Sequence, residues 1–121
     1  MGIKFSNNAS ATLAAGINNL ATSVSVSTGQ GALYPTLGAG EYFYATLVDS
    51  SNNLEIVKVT ARSGDSMTIV RGQDGTTART FASGDKLEVR LTGAGLSAIQ
   101  QEAIDNTTAA VGSALAFAIA L

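Results

Sequence analysis

The chain contains no cysteine, no histidine and no tryptophan. Those absences exclude disulfide staples, thiolate or histidine metal sites, and both Ser-His and Cys-His catalysis. What remains is chemistry that carboxylates and arginines can do alone. Charge is also scarce: Asp, Glu, Lys and Arg make up 13% of the residues, against about 25% in an ordinary soluble domain. Such a surface is either covered by other subunits or coated with neutral Ser and Thr. The seven basic residues are scattered rather than clustered, so no footprint for nucleic acid exists. MGIKFSNNAS carries no apolar run, so no signal peptide is expected there.

What is present divides into two parts: a β-rich stretch over 1–92 and an alanine-rich stretch over 93–121. The 121 residues and 12.2 kDa suit one domain with an appendage. TSVSVST (22–28) alternates, with Val24 and Val26 on one side and serines on the other, the mark of a half-wet strand. Residues 33–41 form a loop around Pro35, Gly38 and Gly40. In EYFYATLVD (41–49) Phe43, Ala45 and Leu47 share one face, and Tyr42, Tyr44, Thr46 and Val48 the other; both are apolar enough to be covered. LEIVKVTA (54–61) pairs with it as a hairpin across SSNN. SMTIVR (66–71) and KLEVRL (86–91) complete the strands, the latter with Leu87, Val89 and Leu91 facing inward. Residues 9–15 read equally as a strand or a helical turn. Short strands at this spacing predict a mainly β fold, a small antiparallel β-sandwich or barrel, followed by a C-terminal alanine-rich helix.

In that second part Leu96 and Ile99 are three apart, and Ile104, Thr108, Val111, Leu115 and Ala118 follow at steps of four, three, four and three. This is heptad-like spacing. A helix over 94–119 would span about 39 Å, with a narrow apolar stripe that self-association would bury. Thr107, Thr108 and Gly112 weaken it. The end, LAFAIAL, also alternates, placing Leu115, Phe117, Ile119 and Leu121 on one side as in a strand added to a partner. The apolar run from 109 is too short as a helix, at about 20 Å, for a hydrocarbon core of about 30 Å, so no stable membrane span is expected.

RGQDGTTARTF (71–81) is the densest candidate site. Glycine amides, Arg71, Arg79 and threonine hydroxyls suggest an anion grip, but a phosphate loop needs a lysine after its last glycine and a helix beyond it. Neither is expected here. The structural reading makes Asp74-Gly75 a tight turn with positive φ, with Asp74 accepting its own following amides and Thr76 bonding loop groups. Phe81 then anchors the loop in the core, and Arg71 and Arg79 bridge carboxylates such as Asp74 or Asp85. Gly72, Gly84 and Asp85 belong to the same set of shaped connections. Asp49, Asp65, Asp74 and Asp85 all fall at turns, where a short acceptor caps amides. Glu55 and Glu88 form a conceivable glycosidase pair, but strand glutamates on a wet face are commoner. Tyr34, Tyr42 and Tyr44 suit either a sugar platform or core packing. No cofactor and no metal is called for.

FSNNASATLAAGI (5–17), SVSVSTGQGALYP (23–35), YFYATLVD (42–49) and the run from Glu55 to Thr92 together resemble a module of tailed-bacteriophage virion proteins. It occurs in tail-fibre attachment regions and in small tail or baseplate components. The pattern is carried by Glu55 through Val59, Arg71-Gly72, Gly75-Thr76 and Gly84-Asp85. The resemblance implies a non-enzymatic, β-rich adaptor in the virion, assembled in a bacterial host. It joins tail or baseplate to a fibre or receptor-binding protein, and its self-association is trimeric. The chain has no long shaft or receptor-binding tip, so a capsid decoration role and a carbohydrate-binding β module stand as alternatives. The expected interface is Leu96, Ile99, Ile104, Thr108, Val111, Leu115, Phe117 and Ile119.

Overall fold

Alternation of apolar and polar residues pairs the strands into one antiparallel sheet. In the computed structural model, which describes residues 2–7 and 9–103, the strands are β1 (Ser10–Thr12), β2 (Ser23–Ser25), β3 (Phe43–Val48), β4 (Leu54–Ser63), β5 (Ser66–Gln73) and β6 (Lys86–Glu88). Their spatial order is β1-β6-β3-β4-β5-β2. A helix, α1, begins at residue 93 and is described through 103. The fold is mainly β, as the alternation predicts, and within residues 9–15 the structure forms strand β1 at Ser10–Thr12 with an isolated bridge at Leu13. Of the expected interface, Ile104, Thr108, Val111, Leu115, Phe117 and Ile119 lie outside the described residues.

The sheet curls rather than stacking into a sandwich. The long hairpin β4–β5 carries two register shifts, one between Ile56 and Lys58 and one between Val59 and Ala61. Each inserts an extra residue on one strand, which sharpens twist and bends the ladder. The curl brings the outer strands together: Leu13 bridges Val26, with Ala14 N–H donating to Ser25 O and Ser27 N–H to Thr12 O, both at 2.9 Å. Two exposed edges thereby protect each other.

Inside the curl lie Leu13, Val24, Val26, Phe43, Leu47, Val57, Val59, Met67, Ile69, Phe81 and Leu87, all buried. Tyr34 plugs this core, stacked on Phe43 at 5.8 Å, with its hydroxyl donating to Leu87 O. Burial raises its pKa well above the usual tyrosine range, with the Glu88 charge adding to the effect. The sugar-platform reading fails for Tyr34 for this reason. Tyr42 and Tyr44 remain half-buried in edge contact, with Lys58 Nζ 4.3 Å from the Tyr42 ring centre. Leu91 also departs from expectation: β6 ends at Glu88, and Leu91 is 69% exposed.

The convex face of β3 is covered by the chain itself. Thr46 and Val48 are buried there, and Ile3 pairs with Tyr42 and is buried. α1 starts on Thr92, whose hydroxyl accepts Gly95 N–H at 2.9 Å and whose carbonyl accepts Leu96 N–H at 2.8 Å. That is an N-cap by residue type and geometry. Glu102 Oε1 accepts Gly2 N–H at 2.9 Å and Ile3 N–H at 3.0 Å, tying the helix to the first strand-like segment. Among the described residues no helix is long and apolar enough to cross a membrane.

Candidate functional site: a carboxylate-centred loop junction

The 71–81 loop is organised by a residue outside it. Glu55 lies on the same side of β4 as Val57 and Val59, and all three are fully buried. This corrects the wet-face expectation for that glutamate, and the period-two pattern explains the difference: Glu55 is in phase with the core residues. Its carboxylate faces Arg71 in a two-pronged pair. Arg71 Nε donates to Oε2 and Nη2 to Oε1, both at 2.8 Å. Gly72 N–H adds a bond to Oε2 at 2.9 Å, and Arg79 N–H one to Oε1 at 2.8 Å. The four acceptor positions of the carboxylate are thus all used.

Arg71 is equally saturated. Nη1 donates to Asn18 O at 2.6 Å and to Ala21 O at 3.1 Å, and Nη2 also reaches Arg79 O. With the two bonds to Glu55, five N–H donors have five acceptors. The side chains are 0% and 10% exposed for Glu55 and Arg71. Burial alone would raise the Glu55 pKa; the Arg71 guanidinium and the amides of Gly72 and Arg79 overcome that and hold it below the usual carboxylate value. Asp74 and Asp85 are therefore not the partners of Arg71, and Arg79 joins through its backbone.

Local backbone shape makes the junction possible. Val57 on β4 faces the two residues Arg71 and Gly72 on β5, and Gly72 takes φ 58° in this bulge, turning its N–H onto Glu55. Asp74 and Gly75 follow with φ 52° and 78°, and Thr76 N–H closes the turn on Gln73 O at 3.0 Å. Thr76 Oγ1 accepts Ile56 N–H at 3.0 Å and donates to Gln73 O at 2.6 Å. The hydroxyl occupies the place a sheet partner would have filled. The sequence casts Asp74 as a cap for its own amides; among the described residues none reaches it, because Thr76 does that work, and its carboxylate lies beside Gly93.

Phe81 is buried and bridges Ile17, each N–H donating to the other's carbonyl at 2.9 Å. It pins the far end of the loop. Gly84, at φ 90°, donates to Leu13 O at 2.9 Å, and Asp85 Oδ2 accepts Ala82 N–H at 2.8 Å. Asp49 caps its turn through Ser51 and Asn53. Asp65 instead reaches across the sheet to Gly29 and Gly31, a clamp that residue type alone does not reveal. Glu88 is engaged by Arg90 and Ser10. Leu96 is 48% exposed and Ile99 half-buried on α1. A shallow groove beside the start of α1 is lined by Thr46, Leu54, Ile56, Thr76, Leu91 and Thr92.

No protein-family model matches the chain, and no curated protein matches its sequence. The chemistry of the junction is therefore read from its own bonds. Among the described residues every hydrogen-bonding position of this carboxylate and guanidinium is occupied by the chain itself, and the pair fastens loops 18–21 and 71–79 to β4. A substitution separates shape from chemistry here. Gly75 has open space around it, but its φ of 78° disfavours a branched side chain. Gly75→Val is expected to cost about 2 kcal/mol, read as a lower unfolding midpoint in urea. An unchanged midpoint would mean the turn relaxes freely.

Proposed function

We propose that this protein is a non-enzymatic structural component of a tailed-phage particle. It bridges a tail or baseplate component and a fibre or receptor-binding protein, and associates with copies of itself, as a trimer, through residues 93–121. The observation that carries this reading is convergence. The separate pieces on which the phage-module resemblance rests, Glu55–Val59, Arg71-Gly72 and Gly75-Thr76, meet in one bonded junction. Its polar groups are spent on holding loops in place. A scaffold whose buried ion pair is spent on its own loops suits a part that presents fixed surfaces to neighbours.

The two surfaces differ in chemistry. The β body exposes Ser and Thr along β2, β4 and β5, suited to a polar contact. Residues 104–121 contain one charged side chain, Asp105, and many apolar ones, suited to a desolvated seam. Replacing Val111 and Leu115 together by Asp would place two unpaired charges in that seam, costing more than about 3 kcal/mol. Particles grown with the double variant are expected to lack this protein and the fibre it holds, by gel analysis and adsorption assay. Particles that lack the protein yet keep fibres and adsorb normally would end the bridging reading; heads that became fragile instead would favour capsid decoration.

A further inference from the structure

We infer that α1 is a detachable strap, docked on residues 2–5 in the free chain and released when copies of the chain associate. The inference rests on the self-association proposed above, and four features of the helix support it. The first is an orphan. While Glu102 Oε1 holds Gly2 and Ile3, Glu102 Oε2 is buried without a hydrogen-bond partner among the described residues. Buried acceptors are nearly always satisfied, and an unsatisfied one opposes the state that buries it.

The second feature is a thin docking stripe. The less exposed residues of α1 are Ala94, Gly95, Ala98, Ile99 and Glu102. Only Ile99 offers substantial apolar area, so little hydrophobic gain offsets the orphan. The third is a soft root. Gly93 and Gly95 fall in the first turn, where each glycine weakens a helix. Gly95 also allows the close approach: a Cβ there would come within 3.0 Å of Thr92 Oγ1 and 3.6 Å of Ile3 Cδ1.

The fourth is competition for one side chain. The heptad-like spacing puts Leu96 and Ile99 in a single seam, where a second copy would cover both. In the docked helix Leu96 is 48% exposed while Ile99 is half-buried. The seam and the docked position therefore cannot both use Ile99 fully. Leaving the N-terminal segment breaks the two bonds from Gly2 and Ile3 to Glu102 and relieves the orphan oxygen; joining a sister helix buries Leu96 and Ile99 together.

Hydrogen exchange and association kinetics on the full chain test this. In the free protein, amides of residues 96–103 are expected to exchange at least tenfold faster than those of β4 and β5, through an opening that leaves the sheet intact. Glu102→Ala removes both latch bonds together with the orphan oxygen; because the helix is docked despite the orphan, the two bonds outweigh it, and the variant should raise exchange in α1 roughly tenfold more, with β4 and β5 unchanged, and should speed self-association by a similar factor. Exchange in α1 that occurs only with global unfolding would overturn the strap, as would an association rate untouched by Glu102→Ala. A chain that stays monomeric at high concentration, wild type and variant alike, would count against self-association itself, while the exchange data still judged the latch.

Discussion

Glu55→Ala is expected to lower the thermal unfolding midpoint by roughly 15 °C, the equivalent of about 3–5 kcal/mol. The loss has three parts. Arg71, 10% exposed, keeps its charge without a counter-ion. Gly72 and Arg79 lose the acceptor of their N–H groups. A cavity opens beside Val57. A native domain has only about 5–15 kcal/mol in hand, so the variant should also aggregate at growth temperature. Buried ion pairs are often replaceable by apolar residues of similar volume without loss. This one should not be, because it also satisfies five backbone groups: the carbonyls of Asn18, Ala21 and Arg79 and the amides of Gly72 and Arg79. Glu55→Leu combined with Arg71→Met is therefore expected to remain destabilised by at least about 2 kcal/mol. A double variant as stable as wild type would show that the junction only pairs two charges.

The same junction sets an acid limit. Glu55 has its folded-state pKa below the ordinary 4.5. A carboxylate with a depressed folded pKa contributes stability that is fully present above its unfolded pKa and is lost as pH falls through the folded one. Stability should be flat down to about pH 5 and fall steadily below the ordinary value, and Glu55→Gln should lose most of that slope, since it has no carboxylate to protonate. An unaltered slope would assign the acid sensitivity to other groups, such as Asp49, whose pKa is held down by the Asn53 side chain and by the amides around it.

Strand positions are legible because their signal is local. The period of two over 41–49 and 54–61 needs no knowledge of the rest of the chain, and it groups Phe43 with Leu47 and Val57 with Val59 on shared faces, which the fold buries. The same count puts Glu55 on the face of Val57 and Val59, the one the structure buries. What misleads is residue type: a glutamate is assumed to be wet unless its partner is known, and Arg71 lies 16 residues away across a bulge. The loop's role as a shaped connection is readable from Asp74-Gly75 and Phe81, but its partners are not. Hydrogen bonds between loops depend on how the sheet curls, and the bulges that curl it leave only weak traces in composition. Leu91 shows the converse error: alternation continues past Glu88 in the sequence, but the chain has already turned toward the Thr92 cap of α1.

Gly31→Ala is expected to be as damaging as the loss of Glu55, and for a purely geometric reason. Gly31 lies in the 3-10 turn Gln30–Leu33, pressed against the β4–β5 connection. A Cβ added there would sit 2.1 Å from Gly64 O and 2.7 Å from Asp65 Cα. Both are backbone atoms, so no side-chain rotation relieves the clash, and the two loops must part by more than about 1 Å. Parting them breaks the Asp65 clamp, in which Oδ1 accepts Gly31 N–H at 2.8 Å and Oδ2 accepts Gly29 N–H at 3.1 Å. It also strains the adjoining bond from Val26 N–H to Asp65 O at 2.9 Å, beside the bridge where the curled sheet meets itself. Overpacking of this kind costs about 3 kcal/mol or more. Gly29 provides the control. Its φ is 82° and nothing lies within 4 Å of a Cβ placed on it, so Gly29→Ala meets only the left-handed penalty of about 1–2 kcal/mol. Chemical denaturation of the two single variants should rank Gly31→Ala well below Gly29→Ala. Equal midpoints, or the reverse order, would mean the turn and the hairpin are not in the close contact that fastens β2 to β5 and lets the sheet close on β1.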